Sequence, residues 1–388
     1  MLRKSWKMVR LRELIIAFII SIVFVANTNA KSPPPGTGTS DQPANILIML
    51  DNSGSMSAMV QSSSALYYPS QTQTDSAGNI YIMEYSYNRI KKYNSAGKFL
   101  QSFGSYGYSC TQWTYAMDFK IFNDKIYIAS RYGRDIRVLN LNGSCSRQSR
   151  RNLFSHNFVT GIAVTSSFII LRDSYGGNVS GYRNNSSFTS LGSGSYPSSQ
   201  LSSGYFLETN NAGTKLIAGN FNYYNNGFSE FNINSNATLT FSRQTPRNYS
   251  SSSGYNRYSM GVDYDSAGNI YGINYYDHRL QKFNSSFNYT ARTGSYNRGG
   301  AFYYPRGVHV DKNNKIYVSD YSNRSVRIFD TNLQLQSSIG GSGGTRLDVS
   351  KTVIKKIVSN TDLTSGANFG LMEWGSYPRM RVNISDTG

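Results

Sequence analysis

The chain has 388 residues and a formal charge of +18, with 39 lysines and arginines against 21 aspartates and glutamates. Three histidines and two cysteines are present, and no Ser/His/Asp order, paired catalytic carboxylates, phosphate loop or Cys/His cluster is legible. That inventory argues against an enzyme.

Arg3, Lys4, Lys7, Arg10 and Arg12 form a basic leader, and the 13-residue run Leu14–Ala26 has only Ser21 as a polar residue. A bilayer takes roughly 20 apolar residues to span. With small residues at Thr28-Asn29-Ala30, residues 1–30 read as a cleaved export signal, an uncleaved anchor being the alternative. Residues 31–44, with prolines at 33–35 and then Gly, Thr and Ser, read as a linker. The signal holds five basic residues and one acidic, Glu13, so the mature chain keeps about +14. For an exported chain this points to anionic glycans, lipid headgroups or acidic cell surfaces rather than nucleic acid. The bland alternative is charge that merely keeps a Ser/Asn-rich surface soluble.

Asn45-Ile-Leu-Ile-Met-Leu50 reads as a buried strand of a parallel sheet. At its carboxyl end Asp51-x-Ser53-x-Ser55 offers one carboxylate and two hydroxyls to a hard cation, Mg²⁺ or Ca²⁺. Open α/β sheets place their ligand sites at this end of their strands. The stretch resembles the first strand and metal-ion-dependent adhesion site of von Willebrand factor type A domains. In that family a helix follows directly, but here a helical pattern returns only near residue 345.

Between them the chain repeats. Asp75-Ser-Ala-Gly-Asn-Ile-Tyr81 recurs unchanged as Asp265–Tyr271, with variants at Asn123–Tyr127 and Asn313–Tyr317. Ile80 to Ile126 and Ile270 to Ile316 are both 46 residues, and weaker copies fit at Phe168–Leu171 and Lys215–Ala218. Six copies over 65–343, each with alternating strands broken by Asn/Gly turns, predict a six-bladed propeller of four-stranded blades. Pro69…Gly78-Asn-Ile-Tyr81…Asn88-Arg89-Ile90…Gly97-Lys-Phe-Leu100…Phe103-Gly104 and Pro305…Ile316–Asp320…Asn323-Arg324…Phe329 resemble NHL repeats. Blades three and four depart from that pattern most, at Gly176-Gly177 and the Asn-rich 220–226. Both cysteines, Cys110 and Cys145, fall in the second repeat, either as a disulfide closing about 35 residues or as two buried thiols. Circular closure brings the first and last blades together, which suits insertion into a host loop.

After Gly340–Gly344, Leu347, Val353, Ile354, Ile357 and Val358 fall on one helical face from Thr345 onward, and Asn368–Gly375 and Arg379–Ile384 read as strands. Pro43…Asn45–Met56, then Arg346–Lys351, then Asn368–Glu373 resemble the N-terminal part of exported PilY-type proteins, the type IV pilus biogenesis factors and tip adhesins. The resemblance implies that Asp51, Ser53 and Ser55 are metal ligands, completed by a threonine and an aspartate that would lie beyond Gly388. Mg²⁺ or Ca²⁺ is expected only if that completion occurs. The expected architecture is mainly β: a six-bladed NHL-type β-propeller (65–343) inserted into the first strand–helix loop of a partial α/β von Willebrand A-like domain (45–64 and 344–388).

His309 has the strand spacing of an inward-facing residue, while His156 sits in a linker and His278 in a turn. Tyr81, Tyr127, Tyr271 and Tyr317 read as blade core, and the pairs Tyr67-Tyr68, Tyr223-Tyr224, Tyr275-Tyr276 and Tyr303-Tyr304 are left as core or binding surface. The expected function is an exported, non-enzymatic adhesion or binding protein of the pilus, residing in the periplasm, on the cell surface or on the pilus itself. Its partners would be pilus or cell-surface proteins and anionic glycans, with the membrane met only in export. The alternatives are a periplasmic assembly factor and a metal-dependent propeller lyase or hydrolase.

Overall fold

One aspartate explains why the same heptapeptide recurs. The Asp75 carboxylate accepts the backbone N–H groups of Ala77 (3.0 Å) and Asn79 (2.8 Å), the Asn79 amide (2.8 Å) and the Tyr81 hydroxyl (3.0 Å). Asp265 repeats this set with Ala267, Asn269 and Tyr271. Gly78 and Gly268 sit at φ +81° and +79°, where a Cβ is strained. The turn therefore launches a strand and fixes its first tyrosine in the core in one step, and Tyr81 and Tyr271 are fully buried.

The computed structural model describes residues 44–51, 65–154, 158–174, 177–195, 200–221, 227–245, 258–295, 302–340, 354, 367–374 and 378–382. Strand β1 spans Ala44–Asp51. Six antiparallel four-stranded blades follow, each contiguous in sequence and ordered as it is threaded. Blade one is β2 (Pro69–Thr74), β3 (Ile80–Glu84), β4 (Arg89–Tyr93) and β5 (Phe99–Phe103). Blade two is β6 (Phe119–Phe122), β7 (Lys125–Ser130), β8 (Asp135–Asn140) and β9 (Cys145–Gln148). Blade three is β10 (Val159–Val164), β11 (Phe168–Asp173), β12 (Asn178–Arg183) and β13 (Ser190–Ser195). Blade four is β14 (Leu207–Thr209), β15 (Lys215–Gly219), β16 (Phe228–Ile233) and β17 (Leu239–Gln244). Blade five is β18 (Ser259–Tyr264), β19 (Ile270–Asn274), β20 (Arg279–Phe283) and β21 (Tyr289–Thr293). Blade six is β22 (Pro305–Val310), β23 (Ile316–Asp320), β24 (Ser325–Phe329) and β25 (Leu335–Gly340). Two more strands come last, β26 (Ala367–Trp374) and β27 (Pro378–Val382).

The cores lie between blades rather than within them. Tyr81, Met83 and Ile90 of blade one pack with Phe119, Ile126 and Leu139 of blade two and with fully buried Trp113. Where blade three loses the repeat pattern, buried Arg172 crosses to blade four and donates to the carbonyls of Gly219 and Ser202, both at 2.7 Å. Ring closure uses side chains, since among the described residues no strand is exchanged. Ile80, Ile82 and Tyr93 meet Tyr317, Val326 and Ile339, with Leu66 wedged among them. Thr72 and Ser319 share a buried hydroxyl–hydroxyl bond of 3.0 Å across the same seam. A Cβ placed on Gly340 would sit 2.8 Å from Leu66, so the start and finish of the propeller lie side by side.

The strands outside the ring also meet. β1 pairs in parallel with β26, from Ala44 opposite Ala367 to Asp51 opposite Trp374, and β27 joins antiparallel. A parallel pair needs a crossover connection, and the whole propeller lies within this one. The export signal, the linker up to residue 43, Ser53, Ser55, His156 and Tyr223-Tyr224 lie outside the described residues, and of the helix expected from Thr345 only Ile354 is described, as helical.

Close approach between inner strands fixes their glycines. A Cβ on Gly261 would lie 2.5 Å from the Arg306 carbonyl oxygen and 2.7 Å from the Val308 nitrogen, both backbone atoms of blade six. Gly261→Ala is therefore expected to cost about 1–3 kcal/mol by forcing blades five and six apart. A urea midpoint within error of wild type would refute that reading of the seam.

Candidate functional site

Each blade is an antiparallel meander, so one end of the ring gathers the blade-to-blade connections and the turns between second and third strands. The first end is aromatic. Tyr68, Tyr115, Tyr258 and Tyr304 immediately precede or closely precede the inner strands of blades one, two, five and six, all at φ +52° or +53°. Bulky side chains avoid this left-handed region, at a cost on the order of 1 kcal/mol or more each. Side chains from the preceding blade help to hold the conformation. His278 Nδ1 accepts the Tyr304 N–H at 2.8 Å, and the Asn88 amide oxygen accepts the Tyr115 N–H. Burial lowers the His278 pKa, in keeping with an acceptor imidazole.

From these tyrosines the rings run on in edge contact. Tyr85, Tyr115, Tyr132 and Phe158 form one chain at centroid distances of 5.6, 5.6 and 5.9 Å. Phe221, Tyr258, Tyr276 and Tyr275 form another at 5.2, 4.4 and 5.0 Å, and Tyr275 reaches Tyr304 at 5.1 Å. Arginines lie over them: Arg306 is 3.5 Å from the Tyr321 centroid, Arg131 is 4.7 Å from Phe158, and Arg324 is 5.2 Å from Tyr68. Tyr106, Tyr132, Tyr87 and Tyr276 remain 55%, 48%, 49% and 49% exposed. The described tyrosine pairs thus belong to one face, while Tyr81, Tyr127, Tyr271 and Tyr317 are buried in the blades.

The opposite mouth of the channel is a cavity of about 360 Å³ to which every blade contributes, among others through Gln73, Phe122, Phe168, Glu208, Asp263 and His309. Beneath it lies a charged network. Lys120 Nζ reaches Glu208 at 2.8 Å and Asp118 at 3.2 Å, and Asp118 also accepts the Ile162 N–H at 3.1 Å. Asp263 accepts the Val310 N–H at 2.7 Å and faces His309 Nδ1 at 3.2 Å, while His309 Nε2 meets the Thr74 hydroxyl at 2.9 Å. His309 does face inward, but the Asp263–His309–Thr74 chain was not legible in a sequence that spreads it over three blades. Among the described residues no group of three or more His, Cys, Asp and Glu is placed to hold a metal ion. Of the expected ligands only Asp51 is described, as the last residue of β1.

Burial raises the Glu208 carboxyl to about 7 against the pull of Lys120, with the Asp263 charge adding to the rise. Burial likewise raises Asp320 to about 6. A carboxyl raised in the folded state binds more protons folded than unfolded, so these groups make stability fall as pH climbs from about 4 to about 7. Melting is expected to occur at lower temperature at pH 8 than at pH 5, with Glu208→Gln removing a large part of the difference. A melting temperature that rises over this interval would contradict the assignment.

Residues 302–329 match the family model of the NHL repeat. The match covers the inner three strands of blade six, and the same Asp-centred turn followed by a buried strand runs through blades one and five. Among solved structures the chain is similar to a streptogramin B lyase, at 12% identity and a TM-score of 0.50, covering 73% of this chain and 86% of that one. It is also similar to a structural genomics protein of unknown function from Bacteroides thetaiotaomicron, at 12% identity and a TM-score of 0.51, covering 69% and 70%. At such identities the likeness shows the propeller fold alone. No curated protein matches the chain.

Proposed function

We propose that this is an exported, non-enzymatic binding protein whose NHL-type propeller presents its aromatic and arginine face to a partner. The observation that carries the reading is the run of left-handed tyrosines at four of the six blades. Strain of this kind is spent where a surface must be held in one shape, and tyrosine beside arginine is the composition of recognition surfaces. The setting we propose is the type IV pilus, in assembly or at the tip. It rests on the resemblance of Asn45–Met56, Arg346–Lys351 and Asn368–Glu373 to PilY-type proteins, and the β1–β26 pairing across the propeller supports it. Mg²⁺ or Ca²⁺ at Asp51, Ser53 and Ser55 belongs to this proposal only with ligands from beyond the chain, since three oxygens leave a hard cation about three short.

Binding of the purified chain to whole cells and isolated pili tests the face, with the exposed pair Tyr106→Ser/Tyr132→Ser as the variant. Loss of binding with unchanged melting supports the reading, and undiminished binding defeats it. Protease shaving of intact producing cells separates a surface protein, which is cleaved, from a periplasmic assembly factor, which is spared.

A second reading has one observation in its favour. Asp263, His309 and Thr74 are connected as the groups of a hydrolase triad are, with a hydroxyl on one imidazole nitrogen and a carboxylate on the other. Ester hydrolysis by the purified chain that disappears in both His309→Ala and Thr74→Val would establish it.

A further inference from the structure

At the centre of the aromatic face is a second, smaller cavity of about 160 Å³, over the end of the channel opposite the charged network. Its walls are Tyr85, Tyr205, Phe221, Tyr275, Arg131 and Arg306 with Met117 and Met260, and among the described residues no carboxylate lines it. Arg131 Nη1 donates to the Tyr85 hydroxyl at 2.9 Å, and Arg306 lies 5.9 Å from the centroid of the same ring. Two guanidinium groups from different blades therefore converge on one phenol. Each lies over a ring, Arg131 over Phe158 at 4.7 Å and Arg306 over Tyr321 at 3.5 Å from the centroid. Stacking leaves the edge of a guanidinium for hydrogen bonding. On both arginines the Nε–H is buried and has no partner among the described residues.

Two half-buried guanidinium groups, each with a buried Nε–H and with no carboxylate lining their pocket among the described residues, call for an anion. Its shape follows from the cavity, which holds one small group, and from the planar forks, which match a planar two-oxygen acceptor. Near this rim Arg89 pairs with Glu84, whereas Arg131 and Arg306 reach only tyrosines, at Tyr85 and Tyr275, as Arg324 does at the Tyr68 hydroxyl. Of these, Arg131 and Arg306 line one pocket together. A polyphosphate backbone is held instead by a string of cations along a groove. Around the point, exposed rings and hydroxyls suit a polyhydroxylated chain better than an apolar one.

We propose that this central pocket takes the carboxylate of an acidic sugar, so that the propeller recognises uronic-acid-bearing glycans. The inference rests on the reading of the aromatic face as the binding surface and adds its ligand class.

Calorimetric titration of the full chain with a galacturonate hexamer tests it. The neutral hexamer made by reducing the carboxyls, a sulfated hexasaccharide and a single-stranded oligonucleotide serve as competing probes. The hexauronate is expected to bind with affinity that falls as salt rises, and the reduced hexamer to bind at least about 10-fold more weakly. Arg131→Gln and Arg306→Gln are each expected to weaken binding about 10- to 100-fold, and Arg183→Gln, at the exposed last residue of β12, to leave it unchanged. Where a glutamine variant melts early, Arg306→Lys supplies the test: it keeps the charge but not the fork and is expected to lose about 10-fold.

Four results overturn the proposal: no binding of the hexauronate, equal binding of the reduced hexamer, tighter binding of the sulfated probe or the oligonucleotide, or wild-type affinity in the folded arginine variants. If cells or neutral glycans are still bound through Tyr106 and Tyr132 in any of these cases, the binding face stands and only its ligand class falls.

Discussion

Asp118→Ala is expected to lower the stability of the whole ring by about 3–5 kcal/mol, the range for removing one partner of a buried charge pair. The carboxylate is nearly inaccessible and serves four groups from four blades. Lys120 of its own blade lies 3.2 Å away, the Gln71 amide donates at 3.4 Å, and the Ile162 and Leu207 N–H groups donate at 3.1 and 3.4 Å. With no strand exchanged among the described residues, this axial cluster adds a polar tie from blades one, three and four to blade two beside the apolar cores between blades. Burial raises the Asp118 carboxyl while Lys120 and the two backbone N–H groups hold it down, so its ion depends on those contacts. Lys120 keeps its ammonium well above the usual lysine value despite burial, because Asp118 and Glu208 flank it. Alanine would leave two backbone donors and part of a cation without an acceptor in a site water cannot enter freely. For a chain of this size the loss corresponds to a melting temperature lower by roughly 4–6 °C. Asp118→Asn, which keeps one acceptor oxygen, should lie between. A loss below about 1 kcal/mol for the alanine variant would show that the axial cluster is incidental to closure.

The blades were legible in the sequence because their determinants are local. Asp75 and Asp265 act on residues two to six positions away, so an identical phrase has an identical turn, and Asp311 does the same for Lys315 and Tyr317 with different neighbours. The six-fold ring follows from counting those turns. Blades three and four were faint because they hold together differently. There Arg172 bonds carbonyls of the next blade, a contact 47 residues long in sequence with no period to betray it.

The candidate sites were legible only in part. The sequence left the paired tyrosines open between core and surface; two of the pairs precede a proline, where the rule favours extended backbone. Tyr68 and Tyr304 adopt the left-handed region instead, with Tyr304 held there by His278 from another blade. His278 therefore looked like an ordinary turn residue. The cluster of Asp118, Lys120, Glu208, Asp263 and His309 was invisible for the same reason, since only the curvature of the ring brings five inner-strand positions from four blades together. Strand spacing had made His309 the best inward candidate among the histidines, but its partners Asp263 and Thr74 lie 46 and 235 positions away.

Breaking the Cys110–Cys145 disulfide is expected to cost about 4 kcal/mol, by the loop-closure relation for the 35 residues it spans. The bond exists with a Cα separation of 5.6 Å, and among the described residues no cysteine is left free. Its placement gives it a second consequence. Cys110 lies on the connection between β5 and β6, which also carries Tyr106, Tyr108 and Tyr115 of the aromatic face, and Cys145 begins the outer strand β9. Weaker ties reinforce the same connection: the Arg137 Nε donates to the Ser109 carbonyl at 3.0 Å, and Arg151 lies 3.9 Å over the Tyr108 ring. Reduction should therefore loosen the recognition face before it unfolds the ring. In denaturant, wild type is expected to lose stability on addition of reductant, and Cys110→Ser/Cys145→Ser to start at that lower value and ignore the reductant. Ligand or cell binding should fall in the double serine variant at temperatures where its circular dichroism is still native. The same bond bears on compartment, because disulfides persist in oxidising surroundings and not in reducing ones. Thiol titration of the chain recovered from its native cells should find no free cysteine. Two titratable thiols there would place the folded chain in a reducing compartment and remove export from the proposed function, whatever the propeller binds.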